Sequence, residues 1–235
     1  YHGKSAGQAT VISEEEKQFI KDNSTITVSF DPSWYPISYC DKNGNFCGAM
    51  KSIFDLISQE TGLSFTYVHA NTSEESLSLF DKGTAQIAAC FPYDYTWAAK
   101  HNAIITTPFT TLTSFNVYHN GGMPTSVFAI TSNSYPEYLS SIIKQEQISF
   151  AHCASTNDCL DEILSGKAGF TSIDSYQLEY YQSRFKYRNL SYKVSTGESY
   201  NLSIGVSSSA DKNIYSIISK VLSSIGTDKI STILR

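Results

Sequence analysis

The spacing of apolar positions changes period several times along the chain, and each change marks an element. Residues 1–12 carry no periodicity and read as a tail. Ser13 precedes Glu14-Glu15-Glu16, and a Ser with a Glu three positions on is a capping box, so a helix starts there and runs to about Asp22-Asn23. Ile26-Thr27-Val28-Ser29-Phe30 alternates and is rich in β-branched residues, which predicts a strand. It runs into a loop broken by two prolines, Asp31-Pro32-Ser33-Trp34-Tyr35-Pro36, and then into a hairpin turn at Asn43-Gly44. Met50, Ile53, Phe54 and Ile57 return to helical spacing, and Gly62 ends that helix. A strand over Ser64–Val68, a helix over Ser73–Lys82 closed by Gly83, and a strand over Gln86–Cys90 follow. Ile104-Ile105 and Thr110–Tyr118 are extended.

The alternation then restarts. Helices are predicted over Tyr135–Gln145, Asp158–Ser165 and Ser175–Arg184. Strands are predicted over Ile148–Ala151, Ala168–Ile173, Leu190–Val194 and Leu202–Val206. The last long helix, about Asn213–Ile225, sets Ile214, Ile217, Ile218, Val221, Leu222 and Ile225 on one face, and a short helix ends the chain. Strand and helix alternating in both halves is the pattern of an α/β protein with parallel sheets.

Composition narrows the partners. With 235 residues the chain is long enough for two lobes, and an apolar fraction of 41% supplies their cores. Charged residues make up only 17% and the net charge is −5, with no basic run, which argues against nucleic acid and anionic membrane surfaces. No stretch is long and apolar enough to span a bilayer. The chain opens at Tyr1 with neither Met nor an apolar leader, as a mature chain or an excised fragment would. Tyrosine is abundant, at 16 residues, and suits both a wet binding cleft and an ordinary polar surface.

Four of the five cysteines form local pairs. Cys40 and Cys47 bracket the Asn43-Gly44 turn, and Cys153 and Cys159 enclose a short loop. Two disulfides would fit this spacing and an oxidising compartment; five free thiols are the alternative. Neither pair has zinc-site spacing, so no metal is expected. Cys90 is left over as a small buried apolar residue. Phosphate-binding glycine loops, the G-x-S-x-G nucleophile turn and H-E-x-x-H are all absent, so neither a cofactor nor an enzyme is expected.

The stretch Ile26–Tyr39, followed by Asp41, Gly44 and Gly48, resembles family 3 of the bacterial extracellular solute-binding proteins. Gly83–Phe109 with its Thr107-Pro108-Phe109 element, Gly166-Lys167-Ala168 with Asp174, and the C-terminal helix pair are similar to later blocks of that family. The resemblance implies a two-lobed periplasmic-binding-protein-like (type II) α/β fold with two crossover strands, near Ser114–Tyr118 and Tyr200–Ile204, and a ligand in the cleft. It divides the chain into a tail and lead-in helix (1–23), lobe 1 (24–114 and 203–235) and lobe 2 (115–202). Trp34 matches the aromatic on which the ligand stacks, Asp31 lies in the same loop, and Asp174 matches the carboxylate that pairs with a ligand ammonium. Ser155 and Thr156 match hydroxyls at a helix start suited to a carboxylate. Tyr93 falls where the family has a small hydroxyl residue. The family's carboxylate-clamping arginine would fall near Ala98 or Ala99, and neither is basic; Lys100 is expected to point outward. That departure shifts the expectation toward an extracytoplasmic sensor domain of a membrane receptor, such as a histidine kinase or diguanylate cyclase. An amino-acid-binding subunit working with an ABC permease is the alternative, and a dehydratase-like enzyme a more distant one.

Overall fold

The computed structural model describes residues 10–22, 25–122, 125–131 and 148–234. The helix expected over 135–145 lies outside them. The first half is built of α1 (Glu14–Asp22), β1 (Ile26–Ser29), a small meander β2 (Ser33–Trp34), β3 (Ser38–Cys40) and β4 (Phe46–Cys47), then α2 (Ala49–Thr61), β5 (Phe65–Val68), α3 (Ser73–Asp81), β6 (Ile87–Pro92), α4 (Tyr95–Lys100) and β7 (Ala103–Ile105). The remainder comprises β8 (Thr110–His119), β9 (Val127–Thr131), β10 (Ser149–Cys153), α5 (Thr156–Leu164), β11 (Phe170–Asp174), α6 (Ser175–Gln182), β12 (Leu190–Ser207), α7 (Lys212–Ile225) and α8 (Thr227–Leu234).

The main sheet runs β10-β9-β11-β8-β12-β6-β1-β5, with β7 also on β12. Its two ends have the same plan. β5, β1 and β6 are mutually parallel, as are β10, β9 and β11, and in each trio the first strand in the chain lies in the middle. An antiparallel strand closes each trio, β12 on β6 and β8 on β11. β8 and β12 also pair with each other, from Leu190↔His119 to Leu202↔Thr110, and so carry the chain across between the halves. Both expected crossings fall within these two strands. The separate strands expected at 190–194 and 202–206 are one strand, with a register shift between Val194 and Ser199.

Three apolar clusters are buried among the described residues, a small one around Phe80, Phe91 and Trp97 and two larger cores, one in each half. One packs α2 (Met50, Ile53, Phe54, Ile57) and α7 (Ile214, Ile217, Ile218, Val221) on β1 and β6. The other packs α5 (Leu160, Ile163) and Tyr181 of α6 on Val117, Ala129 and Ile173. At 25 cal/mol per Å² a buried Ile contributes about 2 kcal/mol, so each trio of strands has its own hydrophobic support.

The capping box forms as read. Ser13 N donates to Glu16 Oε1 at 2.9 Å, and Glu16 N donates to Ser13 Oγ at 3.1 Å. The Glu16 carboxylate is buried, and it also accepts from Ser216 Oγ at 2.9 Å and pairs with the Lys220 ammonium. The lead-in helix is thereby fastened to α7. Burial pushes the Glu16 carboxyl up, but Lys220, Ser13 and Ser216 outweigh it and hold the group down at about 2.

Neither cysteine pair expected from spacing is bonded in the structure, where all five cysteines are free. Around the Asn43-Gly44 turn the ladder pairs Cys40 with Phe46 and Tyr39 with Cys47. Side chains alternate faces along a strand, so this register puts the thiols of Cys40 and Cys47 on opposite faces. Cys153 and Cys159 sit together in the second core, buried and with their thiols hydrogen-bonded to each other. Cys90 is buried in the first core, as expected.

Candidate functional site

The loops at the C-terminal ends of β1 and β11 meet across the cleft between the two cores. Trp34, on β2 just past β1, is 1% exposed. Its indole Nε1 donates to Asp174 Oδ2 at 2.6 Å. Asp174 ends β11, is fully buried and caps α6, its Oδ1 accepting from Tyr176 N at 2.9 Å and Gln177 N at 3.0 Å. Three N–H donors therefore hold this carboxylate, and no ion pair among the described residues reaches it. Burial pushes Asp174 above its ordinary value, while Trp34, Gln177 and Tyr176 pull it back.

The network continues into the second half. Gln177 is buried, and its Nε2 donates to Thr156 Oγ1 at 3.0 Å. Thr156 opens α5, and Ser155 caps that helix by accepting from Asp158 N at 3.2 Å. Trp34, Asp174, Gln177 and Thr156 thus form one chain of hydrogen bonds from β2 to the start of α5. Further along α6, Tyr180 packs on Tyr35 with ring centroids 4.4 Å apart, a second contact across the cleft.

Asp31 and Tyr93 lie apart from this chain. Asp31 Oδ1 accepts from Ser33 N at 2.9 Å and Ser73 Oγ at 2.6 Å, tying the loop after β1 to the start of α3. With Ser29, Ser73, Ser76 and Cys90 it lines a cavity of about 30 Å³, enough for one or two waters at roughly 10–15 Å³ each. The Tyr93 hydroxyl lies 3.1 Å from that of Tyr95. Ala98 is buried in α4 and Ala99 exposed, and the Lys100 ammonium lies over the Trp97 ring at 4.9 Å on the outer face. Burial, with the nearby Asp31 and Asp174 carboxylates, raises the Cys90 thiol well above its ordinary value, so this site has no activated nucleophile in Cys90.

Sequence reasoning missed Gln177 and the Tyr35–Tyr180 contact. A signal for Gln177 existed, since Asp174-Ser175-Tyr176-Gln177 has the N-cap and third-position pattern of a helix start. Nothing local pointed to the tyrosine pair.

No family profile matches the chain. A stretch of 67 residues, 26% of the chain, is 36% identical to the sensor protein EvgS of Escherichia coli (strain K12), and spans 6% of that protein's length. Among solved structures, the periplasmic domain of BvgS from Bordetella pertussis superposes on 96% of this chain with a TM-score of 0.80 at 16% identity. The chain covers 45% of that structure, but 98% of the single BvgS VFT2 domain, with a TM-score of 0.79 at 17% identity. The arginine-bound ArgBP of T. maritima matches 89% of the chain, and all of its own, with a TM-score of 0.73 at 16% identity. With its twin strand trios, two crossing strands and facing cores, the chain has the two-lobed type II periplasmic-binding-protein fold, the Venus-flytrap fold of the BvgS periplasmic domain.

Proposed function

We propose that the chain is an extracytoplasmic solute-binding module that senses a small polar ligand, an amino acid or a related amine or carboxylate, for a membrane receptor. One observation carries this reading: the Trp34–Asp174 bond, which joins the lobes through a buried carboxylate that no cation among the described residues neutralises. A ligand ammonium is a stronger partner for that carboxylate than an indole N–H. Such a ligand would displace Trp34, stack on it and change how the lobes meet. Thr156, Ser155 and the first N–H groups of α5 offer a complementary place for a ligand carboxylate. Asp31 and Tyr93 complete the rim. The lobes divide at 24–114 with 203–235, and 115–202.

The absence of a basic residue at Ala98 and Ala99 weighs against a ligand held as ordinary α-amino acids are held, and the local likeness to a sensor protein supports a receptor module. No helix among the described residues is long and apolar enough to cross a membrane, so tethering would come from elsewhere in the receptor. The likeness to ArgBP supports a second reading, a transporter's binding subunit. The full-length gene separates the two: a downstream membrane span with an output domain fits the sensor, and a lipoprotein leader with no further domain overturns it.

A thermal-shift screen against amino acids, polyamines and short peptides tests the ligand. A binder at a hundred times its Kd adds about 2.7 kcal/mol of stability. Asp174→Ala is expected to abolish that shift, and an unchanged shift would remove Asp174 from the site. Turnover of the binder by the purified domain would replace binding with catalysis.

A further inference from the structure

The hairpin thiol that lacks its expected partner has another. Cys40 ends β3, and its Sγ lies 3.8 Å from His69 Nδ1 and 3.8 Å from the Gly44 carbonyl oxygen, the two acceptors within reach of its proton. His69 follows β5, and its Nε2 lies 3.2 Å from Asn71 Oδ1. With the ring proton on Nε2, where the Asn71 amide oxygen accepts it, the Nδ1 lone pair faces the sulfur. The side chains form a Cys–His–Asn series in which thiol, base and orienting group stand in the order that thiol chemistry needs.

The arrangement is held from both sides. Phe46 of the hairpin packs on Tyr67 of β5 at 4.9 Å and on Phe30 at 4.3 Å. Gly44, at φ +80°, brings the turn against the imidazole, where an added Cβ would sit 3.4 Å from Nδ1. His69 is exposed and Cys40 half-buried, so a small reagent can reach the pair. Cys90, Cys153 and Cys159 are buried, and Cys47 points to the other face of the hairpin.

We propose that Cys40 is a thiol-modification site, with His69 as its proton acceptor, that takes a low-molecular-weight disulfide. His69 Nδ1 removes the proton as Cys40 Sγ attacks one sulfur of the disulfide. The Cys40–S bond forms, the S–S bond breaks, and the leaving thiolate takes the proton back from His69. One thiol and one disulfide give a mixed disulfide and one thiol, so electrons balance without a further oxidant. Burial, with Asp41, Cys47 and Asp31 nearby, pushes the Cys40 thiol up and favours its protonated form. A base that takes the proton during the attack therefore speeds it. The site is separate from the Trp34–Asp174 contact and stands whether or not that contact binds a ligand.

The test treats the folded protein with oxidised glutathione, quenches with acid, and maps adducts on peptides against time and pH. Cys40 is expected to be the first thiol modified. His69→Ala is expected to slow it at least about tenfold, a modest share of what general bases supply. The Cys47 rate serves as an internal control and stays unchanged. His69→Gln, which keeps bulk without a base, guards against a folding artefact. Equal rates at Cys40 and Cys47, an unaltered rate in both His69 variants, or an intact mass showing Cys40 already bonded to Cys47 would each overturn the assignment.

Discussion

Asp174 and Glu16 are both buried carboxylates, yet they respond to acid with opposite sign. Asp174 is raised above 3.8, so its contribution is fully favourable below that value and is lost as pH rises through the raised one. Glu16 is lowered from 4.5 to about 2, so its contribution is present above 4.5 and lost as pH falls toward about 2. Glu16→Gln is expected to cost on the order of 2–3 kcal/mol near neutrality, and urea unfolding should show the deficit narrowing across that window. Trp34→Phe removes a donor that favours the ionised form of Asp174. It should cost about 2–4 kcal/mol at neutral pH, from a lost charge-assisted bond and a poorer fit. That deficit should shrink in mild acid; one that stayed the same there would mean Trp34 acts by packing alone. The residue scale was also where sequence reasoning reached furthest. Trp34, Asp174 and Thr156 belong to one network, but their pairing was not readable, because Trp34 and Asp174 are 140 positions apart and meet only when two lobes face each other.

At the scale of elements, what is local was legible and what is paired was not. The capping box of α1, the Asn43-Gly44 hairpin and the apolar face of α7 each rest on residues a few positions apart. β12 was split in two because its middle, Ser195-Thr196-Gly197-Glu198, has no strand-like alternation. Ladder pairs with β8 on either side of it, Val194↔Phe115 and Ser199↔Thr113, tie the two parts into one strand, a non-local cause. Spacing around a turn brings backbones together but leaves open which face each side chain takes, and the ladder register sets Cys40 and Cys47 on opposite faces. α4, with 6 residues, is too short to show a period, and only the structure shows Asp94 capping it. The α5–α6 junction offers a direct check. Gln177→Ala leaves Thr156 Oγ1 without its donor and should cost about 1–2 kcal/mol. Ser155→Ala removes the cap of α5 and should cost about 1 kcal/mol. If the start of α5 holds a ligand carboxylate, both variants should weaken binding by more than their stability cost accounts for.

At the scale of the whole molecule, the lobes touch directly through Trp34–Asp174 and Tyr35–Tyr180. A double variant Trp34→Ala, Tyr35→Ala is expected to open the cleft, seen as a larger radius of gyration in small-angle scattering and faster amide exchange along α6. An unchanged radius would show that the sheet, not these contacts, sets the closure. The crossing ribbon bears on the same question. Between the rungs Phe115↔Val194 and Thr113↔Ser199, β8 advances two residues while β12 advances five. One rail of the ribbon is therefore taut and the other slack. Bending can be taken up in the longer rail without breaking rungs on either side, so the lobes would swing about an off-centre line, as a door does on one jamb, and shortening the slack by deletion should stiffen the swing without touching the cleft.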